Sequence, residues 1–129
     1  AAGETISKGH FITPFVIDKF LIEQFNPLRR TLVTEYVKKV CDKAVITDYE
    51  GVCAYLSEKD GESVLILVNS TLNNLKNVKF YCKEQISELC EIKRDGKKVR
   101  VDFSEKDGNI TVNEKFGCIT SKIFIWHRK

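Results

Sequence analysis

Six consecutive apolar-rich residues, Ser63 to Val68 (SVLILV), constrain this chain more than any other stretch. They follow Asp60-Gly61 and run into Asn69-Ser70. A helix needs more length than these borders leave, whereas a short apolar run rich in Val and Ile between turn residues fits a strand. Asp-Gly suits a two-residue hairpin, because both residues tolerate positive φ. Gly51 to Ser70 therefore reads as two strands joined at Asp60-Gly61. In the first, Val52, Ala54 and Leu56 point one way and Cys53, Tyr55 and Ser57 the other. The second has no polar face, which predicts cover on both sides.

The same pattern recurs along the chain. Before the hairpin, His10 to Ile17 is an apolar run interrupted by Pro14, predicting an edge strand or a strand with a bend. Asn26-Pro27 is a helix start, with Asn as cap and Pro at the first helical position. Leu28, Leu32, Val33, Tyr36, Val37, Val40 and Cys41 follow at helical spacing, so an amphipathic helix is expected over about residues 27–42. Beyond it the period changes to two. Strands are expected at 43–49, 77–83, 86–93, across KVRVDF with Val99, Val101 and Phe103 on one face, at NITV, and in the tail CITSKIFIWHR. Further Asp-Gly turns fall at Asp95-Gly96 and Asp107-Gly108. In the tail Ile119, Ser121, Ile123 and Ile125 share one face and Phe124 and Trp126 the other. About eight short strands separated by turn signals predict a mainly β chain, an antiparallel β-sandwich with one flanking helix near the N-terminus. Residues 1–8 read as a disordered or linker start and 9–129 as a single sandwich domain.

Composition narrows the function. The 129 residues carry a net charge of +3, too mild to imply a nucleic-acid or membrane partner. No apolar run approaches the ~20 residues needed to span a bilayer. Five cysteines, Cys41, Cys53, Cys82, Cys90 and Cys118, make an odd set without a CxxC pair. With no secretory leader visible, they predict free thiols in a reducing, cytoplasmic compartment. Two glycosylation sequons occur, at Asn69 and Asn109; in such a compartment they carry no modification.

No constellation of catalytic residues stands out. The two histidines, His10 and His127, lie near opposite ends of the sequence, with no nucleophile context around either. Metal ligands at zinc-like spacing are absent, and no Gly-rich phosphate loop occurs. Metal and cofactor are therefore expected to be none. Asp60, Asp95, Glu105 and Asp107 read as solvated turn or surface residues rather than a pair of glycosidase carboxylates. The basic segment Lys93 to Arg100 reads as a solvated hairpin tip, with anion or nucleic-acid binding as the minor alternative. Trp126, Tyr49 and Tyr55 are the candidate ligand-binding residues, since flat aromatic faces stack on sugars.

The order of pieces carries a resemblance. A strand ending in Pro precedes NPLRRTLVTEYVKKV; VITDYEGVCAYLSEKDGESVLILVNST follows; and the chain closes on KIFIWHRK. From about Gly9 onward this resembles the C-terminal accessory β-sandwich region of multidomain glycoside hydrolases. The resemblance implies a non-catalytic domain of a carbohydrate-active enzyme, with the catalytic domain of the same polypeptide as its partner. The catalytic carboxylates of such enzymes lie upstream, so no catalytic residue carries over to this chain, and by itself it is expected not to be an enzyme. A stand-alone glycan-binding module using exposed aromatics is the alternative, and a nucleic-acid- or anion-binding β-domain a weaker one.

Overall fold

A computed structural model describes residues 5–7, 10–12, 27–41, 43–47 and 49–127. The chain divides into two compact units, Ala1–Ala44 and Val45–Lys129. The first contains an antiparallel pair, β1 (Thr5–Ser7) and β2 (His10–Ile12), and the helix α1 (Pro27–Val40). The expected start at Pro27 is observed; the capping Asn26 and the expected bend at Pro14 lie outside the described residues. Leu32, Val33, Tyr36 and Val37 of the helical stripe are half-buried, whereas Val40 and Cys41 are exposed. Lys38 and Lys39 occupy the last turn, where cations oppose the negative end of the helix dipole.

The second unit is the β-sandwich. One sheet has four strands in the order β3 (Val45–Thr47), β6 (Val78–Cys82), β10 (Asn109–Val112), β9 (Phe103–Lys106). The other has five, in the order β4 (Val52–Lys59), β5 (Glu62–Asn69), β11 (Thr120–His127), β7 (Cys90–Ile92), β8 (Lys98–Arg100). All pairings are antiparallel. The Asp60-Gly61 hairpin joins β4 and β5, and Asp107-Gly108 joins β9 and β10. Both residues of each turn have positive φ, near 52° for Asp and 78° for Gly. That geometry matches the right-handed twist of the flanking strands.

Alternation sorts the faces. Leu65 and Leu67 of β5, Phe124 and Trp126 of β11 and Val52 of β4 point inward. They meet Val78, Phe80 and Cys82 of β6 and Ile110 and Val112 of β10. Phe80 and Phe124 join the sheets at the centre, their rings 6.1 Å apart and tilted by 33°. The separation lies within the range over which aromatic rings attract one another.

Two expectations need correction. KVRVDF is not one strand. It is β8 followed by β9, which lie in different sheets, with Val101 and Asp102 making the crossing. Val101 is buried, and its N–H donates to the Leu89 carbonyl at 2.9 Å before the chain leaves the sheet. The even alternation of Val99, Val101 and Phe103 conceals the break, although Val99 is exposed and only Val101 and Phe103 join the core. The expected strand over 86–93 is likewise only three residues long. Ile86 and Leu89, assigned to opposite faces of a strand, are both core residues of an irregular approach to β7.

Candidate functional site

The five-stranded sheet has an outer face as well as an inner one. The register places Tyr55, Ile66, Ile123 and Ile92 in one cross-strand row on it. Tyr55 is 61% exposed and Ile66 36%. Val64 and Val68 flank Ile66 and are half-buried. The run SVLILV is therefore fully covered on the Leu65 and Leu67 side, while Ile66 on the other keeps a third of its surface in solvent. An apolar row of this width across four strands is the feature of the surface that hydrophilic solvation does not explain.

The three candidate aromatics have different environments. Trp126 faces the core opposite Ser63 and is 2% exposed, so it cannot stack on a sugar in the folded domain. Trp126 Nε1 and Ser63 Oγ are both buried without a hydrogen-bond partner. Tyr49 packs against the core cluster from the β3–β4 connection. Tyr55 alone of the three offers a free ring face to solvent.

At one end of the outer face lies a cleft of about 870 Å³. Val68, Ile92 and Ile123 form its apolar floor. One wall is the β7–β8 turn with Lys93, Arg94 and Gly96; the other is Ile119 to Ser121, leading into β11. Ile119 has φ +47° and is 69% exposed. A β-branched residue in the left-handed region is strained by crowding between its Cβ and the backbone.

That second wall is anchored from below by Asn69, fully buried at the end of β5. Its Nδ2 donates to the carbonyls of Asn73 at 3.0 Å and Gly117 at 2.9 Å. Its Oδ1 accepts from Thr71 N at 3.0 Å and Thr71 Oγ1 at 2.7 Å. Asn74 Oδ1 accepts from Cys118 N at 3.1 Å, and Thr120 Oγ1 donates to the Gly117 carbonyl at 2.7 Å. The sequence motif LVNST thus ends the strand by tying two loops together. Asn69 has no free amide hydrogen to carry a glycan in this fold; Asn109, in the other sequon, is exposed on β10.

Next to the cleft an ionic quartet runs toward the β9 side of the sandwich. Glu91 on β7 is 6% exposed yet charged-residue in type, and it meets Lys93 Nζ at 2.5 Å and Lys122 Nζ at 2.9 Å. Lys122 also reaches Glu114 at 2.6 Å. The hydrogen bond from Lys122 holds the Glu114 carboxyl below its usual range, and the bond to Glu91 raises the Lys93 ammonium above its own. No local signal in the sequence marks Glu91 as buried, since Lys122, one of its two partners, lies 31 positions away.

The other candidates stay apart. His127 is exposed, its Nε2 3.7 Å from Glu62 Oε1, and the side chain of His10 lies outside the described residues. Among the described residues no group of three or more His, Cys, Asp or Glu side chains is placed to hold a metal ion. All five cysteines are unpaired. Lys98 and Lys97 of the basic tip pair with Glu62 and Asp95, whereas Arg94 has no ion-pair partner among the described residues. No helix of the described residues is long and apolar enough to cross a membrane.

Neither a known protein family nor a curated protein matches this sequence. Among solved structures, a GH30 endoxylanase from Clostridium papyrosolvens C71 is similar over 64% of this chain and 22% of its own, with 14% identity and a TM-score of 0.47. The matched part is thus about a fifth of that protein. Likeness at this level leaves the functional reading to the chain's own surface.

Proposed function

We propose that this chain is a non-catalytic accessory β-sandwich domain of a carbohydrate-active enzyme, and that it works by packing on a catalytic module of the same polypeptide. The observation that supports the reading is the outer row Tyr55, Ile66, Ile123 and Ile92, an apolar strip left on a sheet whose other face already fills the core. Domain interfaces within a chain are of this moderately apolar kind. The sequence resemblance described above supplies the identity of the neighbour. The free thiols fit a reducing, cytoplasmic setting.

The test is hydrogen exchange on the complete natural polypeptide and on the 129-residue chain alone. Amides of β4 and β5 near Tyr55 and Ile66 should exchange more slowly in the complete polypeptide. The replacement Ile66→Asp should abolish that difference while leaving the isolated chain folded. Equal exchange in both forms, or a gene product with no further module, would reject the proposal.

The exposed Tyr55 favours one second reading, direct glycan binding by stacking. Retention of the isolated chain on an insoluble polysaccharide, lost on Tyr55→Ala, would move the function to that reading.

A further inference from the structure

The cleft at the end of the five-stranded sheet contains an open strand position. The register shows where it comes from. Ser70 N–H donates to the Gly51 carbonyl, so alternate residues of β5 from Ser70 backward turn their main-chain groups toward β4. Asn69, Leu67 and Leu65 therefore turn theirs toward β11, where they pair with Thr120, Lys122 and Phe124. It follows that Ser121, Ile123 and Ile125 present their N–H and C=O groups to the other side, toward β7. Ile123 pairs with Ile92 and Ile125 with Cys90. Ser121 would pair next with Arg94, two residues beyond Ile92. The chain does not supply that pairing. It turns off at Lys93, whose N–H donates to the Lys97 carbonyl while its own carbonyl accepts from Gly96. Ser121, opposite Val68 on the β5 side, is left exposed with both main-chain groups facing the cleft and no strand residue opposite them on the β7 side.

Three further features converge on the same place. The floor beside Ser121 is aliphatic, made of Val68, Ile92 and Ile123, and has no aromatic ring on which a sugar could stack. Arg94 stands at the wall without an ion-pair partner among the described residues, and a guanidinium recognises carboxylates through two parallel hydrogen bonds. Ile119 holds an exposed apolar side chain over the rim at the cost of a left-handed backbone. Nothing in the fold requires Ile there, since its side chain makes little contact. Strain kept at an exposed residue on a cleft wall is characteristic of a binding position.

We infer that this cleft binds an extended polypeptide segment by strand addition to the Ser121 edge. The segment places an apolar side chain against Val68, Ile123 and Ile119 and a neighbouring carboxylate on Arg94. Main-chain hydrogen bonds to Ser121 set its direction, and the floor and the guanidinium set its sequence preference, as in other strand-addition sites. The cleft shares Ile92 and Ile123 with the outer row proposed above to pack on a neighbouring module, and the two readings are tested separately, the packing by exchange at β4 and β5 and the cleft by peptide binding to the 129-residue chain.

The test uses a fluorescein-labelled peptide, Gly-Asp-Val-Asp-Val-Asp-Gly, titrated with the intact chain and followed by anisotropy. Four controls accompany it: a peptide with lysine in place of aspartate, one with both valine nitrogens methylated, and the chain variants Arg94→Gln and Ile119→Gly. Saturable binding is expected, with the Ser121 amide protected from exchange in the complex. N-methylation should weaken it at least tenfold, because it removes the donors that face the Ser121 carbonyl. Arg94→Gln should weaken it about tenfold and flatten its salt dependence. Ile119→Gly should weaken it at least fivefold without lowering the melting temperature, a combination that simple loss of structure would not give. The inference is overturned if no saturable binding occurs, if the methylated or lysine peptide binds as well as the parent, or if protection appears at β4 rather than at Ser121.

Discussion

The side-chain amide of Asn69 donates a 2.9 Å hydrogen bond to the main-chain carbonyl of Gly117, across 48 positions of sequence. With its other three bonds, it satisfies two segments that have left the sheet and have no ladder to join. Replacing it with Ala removes all four bonds from a site with no solvent access. The Thr71 amide loses its acceptor, whereas the Gly117 carbonyl keeps the Thr120 hydroxyl and the Asn73 carbonyl keeps the Thr71 hydroxyl. Unsatisfied buried groups cost about 1–3 kcal/mol each, so Asn69→Ala should destabilise the domain by about 3 kcal/mol. Urea denaturation should show this as a lower midpoint with an unchanged slope. Asn69→Asp should be at least as damaging, because it keeps the acceptor but loses both donors. A loss below about 0.5 kcal/mol for both variants would mean that the loops are held by something else.

Gly108 illustrates a turn position with no tolerance on either count. Its φ is +78°, and a Cβ there would lie 2.8 Å from Tyr81 Cε2 and 3.0 Å from the Cys82 carbonyl oxygen. The Gly108 carbonyl also accepts from Cys82 N–H at 2.8 Å, so the turn cannot move away without loosening β6. Gly108→Ala should cost about 2 kcal/mol or more, from left-handed strain together with the contact. Gly61, also left-handed, has nothing within 4 Å of the corresponding position. Gly61→Ala should therefore cost about 1 kcal/mol, the strain alone. Thermal denaturation of the two variants side by side separates strain from collision.

The ionic quartet gives the stability a pH dependence of defined sign. The carboxyls of Glu114 in the quartet and of Glu62 outside it are held below the ordinary glutamate range, the first by its hydrogen bond from Lys122 and the second by that from Lys98. A depressed carboxylate contributes stability that is present above its unfolded value and lost as pH falls through its folded value. Lys93, raised above 10.5 by its bond to Glu91, contributes stability that is present below that value and lost as pH rises through the folded one. Stability should therefore be level between about pH 5 and 10 as far as these groups decide it. It should fall below about pH 4.5 and again in strongly alkaline solution. Glu91→Ala leaves Lys93 and the 12%-exposed Lys122 sharing only Glu114. That should cost about 3 kcal/mol at pH 7 and blunt the alkaline limb. Denaturant midpoints across pH for the parent chain and the variant provide the check.

Much of this fold is legible in the residues because local and long-range signals agree there. Asp60-Gly61 and Asp107-Gly108 are read as hairpins and form them, since few other dipeptides accept two successive positive φ angles. The inward set Leu65, Leu67, Phe124 and Trp126 follows from alternation alone once the strands are recognised. Legibility stops where a strand changes sheet. The KVRVDF stretch keeps its period through the crossing at Val101, and periodicity carries no information about which sheet a residue joins. It also stops at Glu91, where burial is made tolerable by Lys93 and by Lys122, the latter 31 positions further along the chain. The cleft was hidden for the same reason. Its open position exists only because β7 is three residues long, against eight in β11. Trp126 reads as a candidate stacking ring from its residue type, but its burial is decided by its register opposite Ser63.

The cysteines offer a last test, of the sandwich interior itself. Cys82 lies between the sheets at 2% exposure, and burial pushes its thiol up to about 11. Thiolate is the reactive form, so at pH 8 Cys82 is both inaccessible and protonated. Cys41 and Cys53 are exposed, with Cys90 and Cys118 intermediate. A disulfide reagent added to the native chain should modify Cys41 and Cys53 first and Cys90 and Cys118 more slowly. Cys82 should react only at the rate of global unfolding, because no smaller opening frees a residue paired with both Val45 and Gly108. Mass spectrometry of the partly labelled chain orders the sites, and added urea should accelerate Cys82 far more than Cys53. Modification of Cys82 in step with Cys53 in native buffer would mean that β6 is not clamped between its neighbours as the register requires.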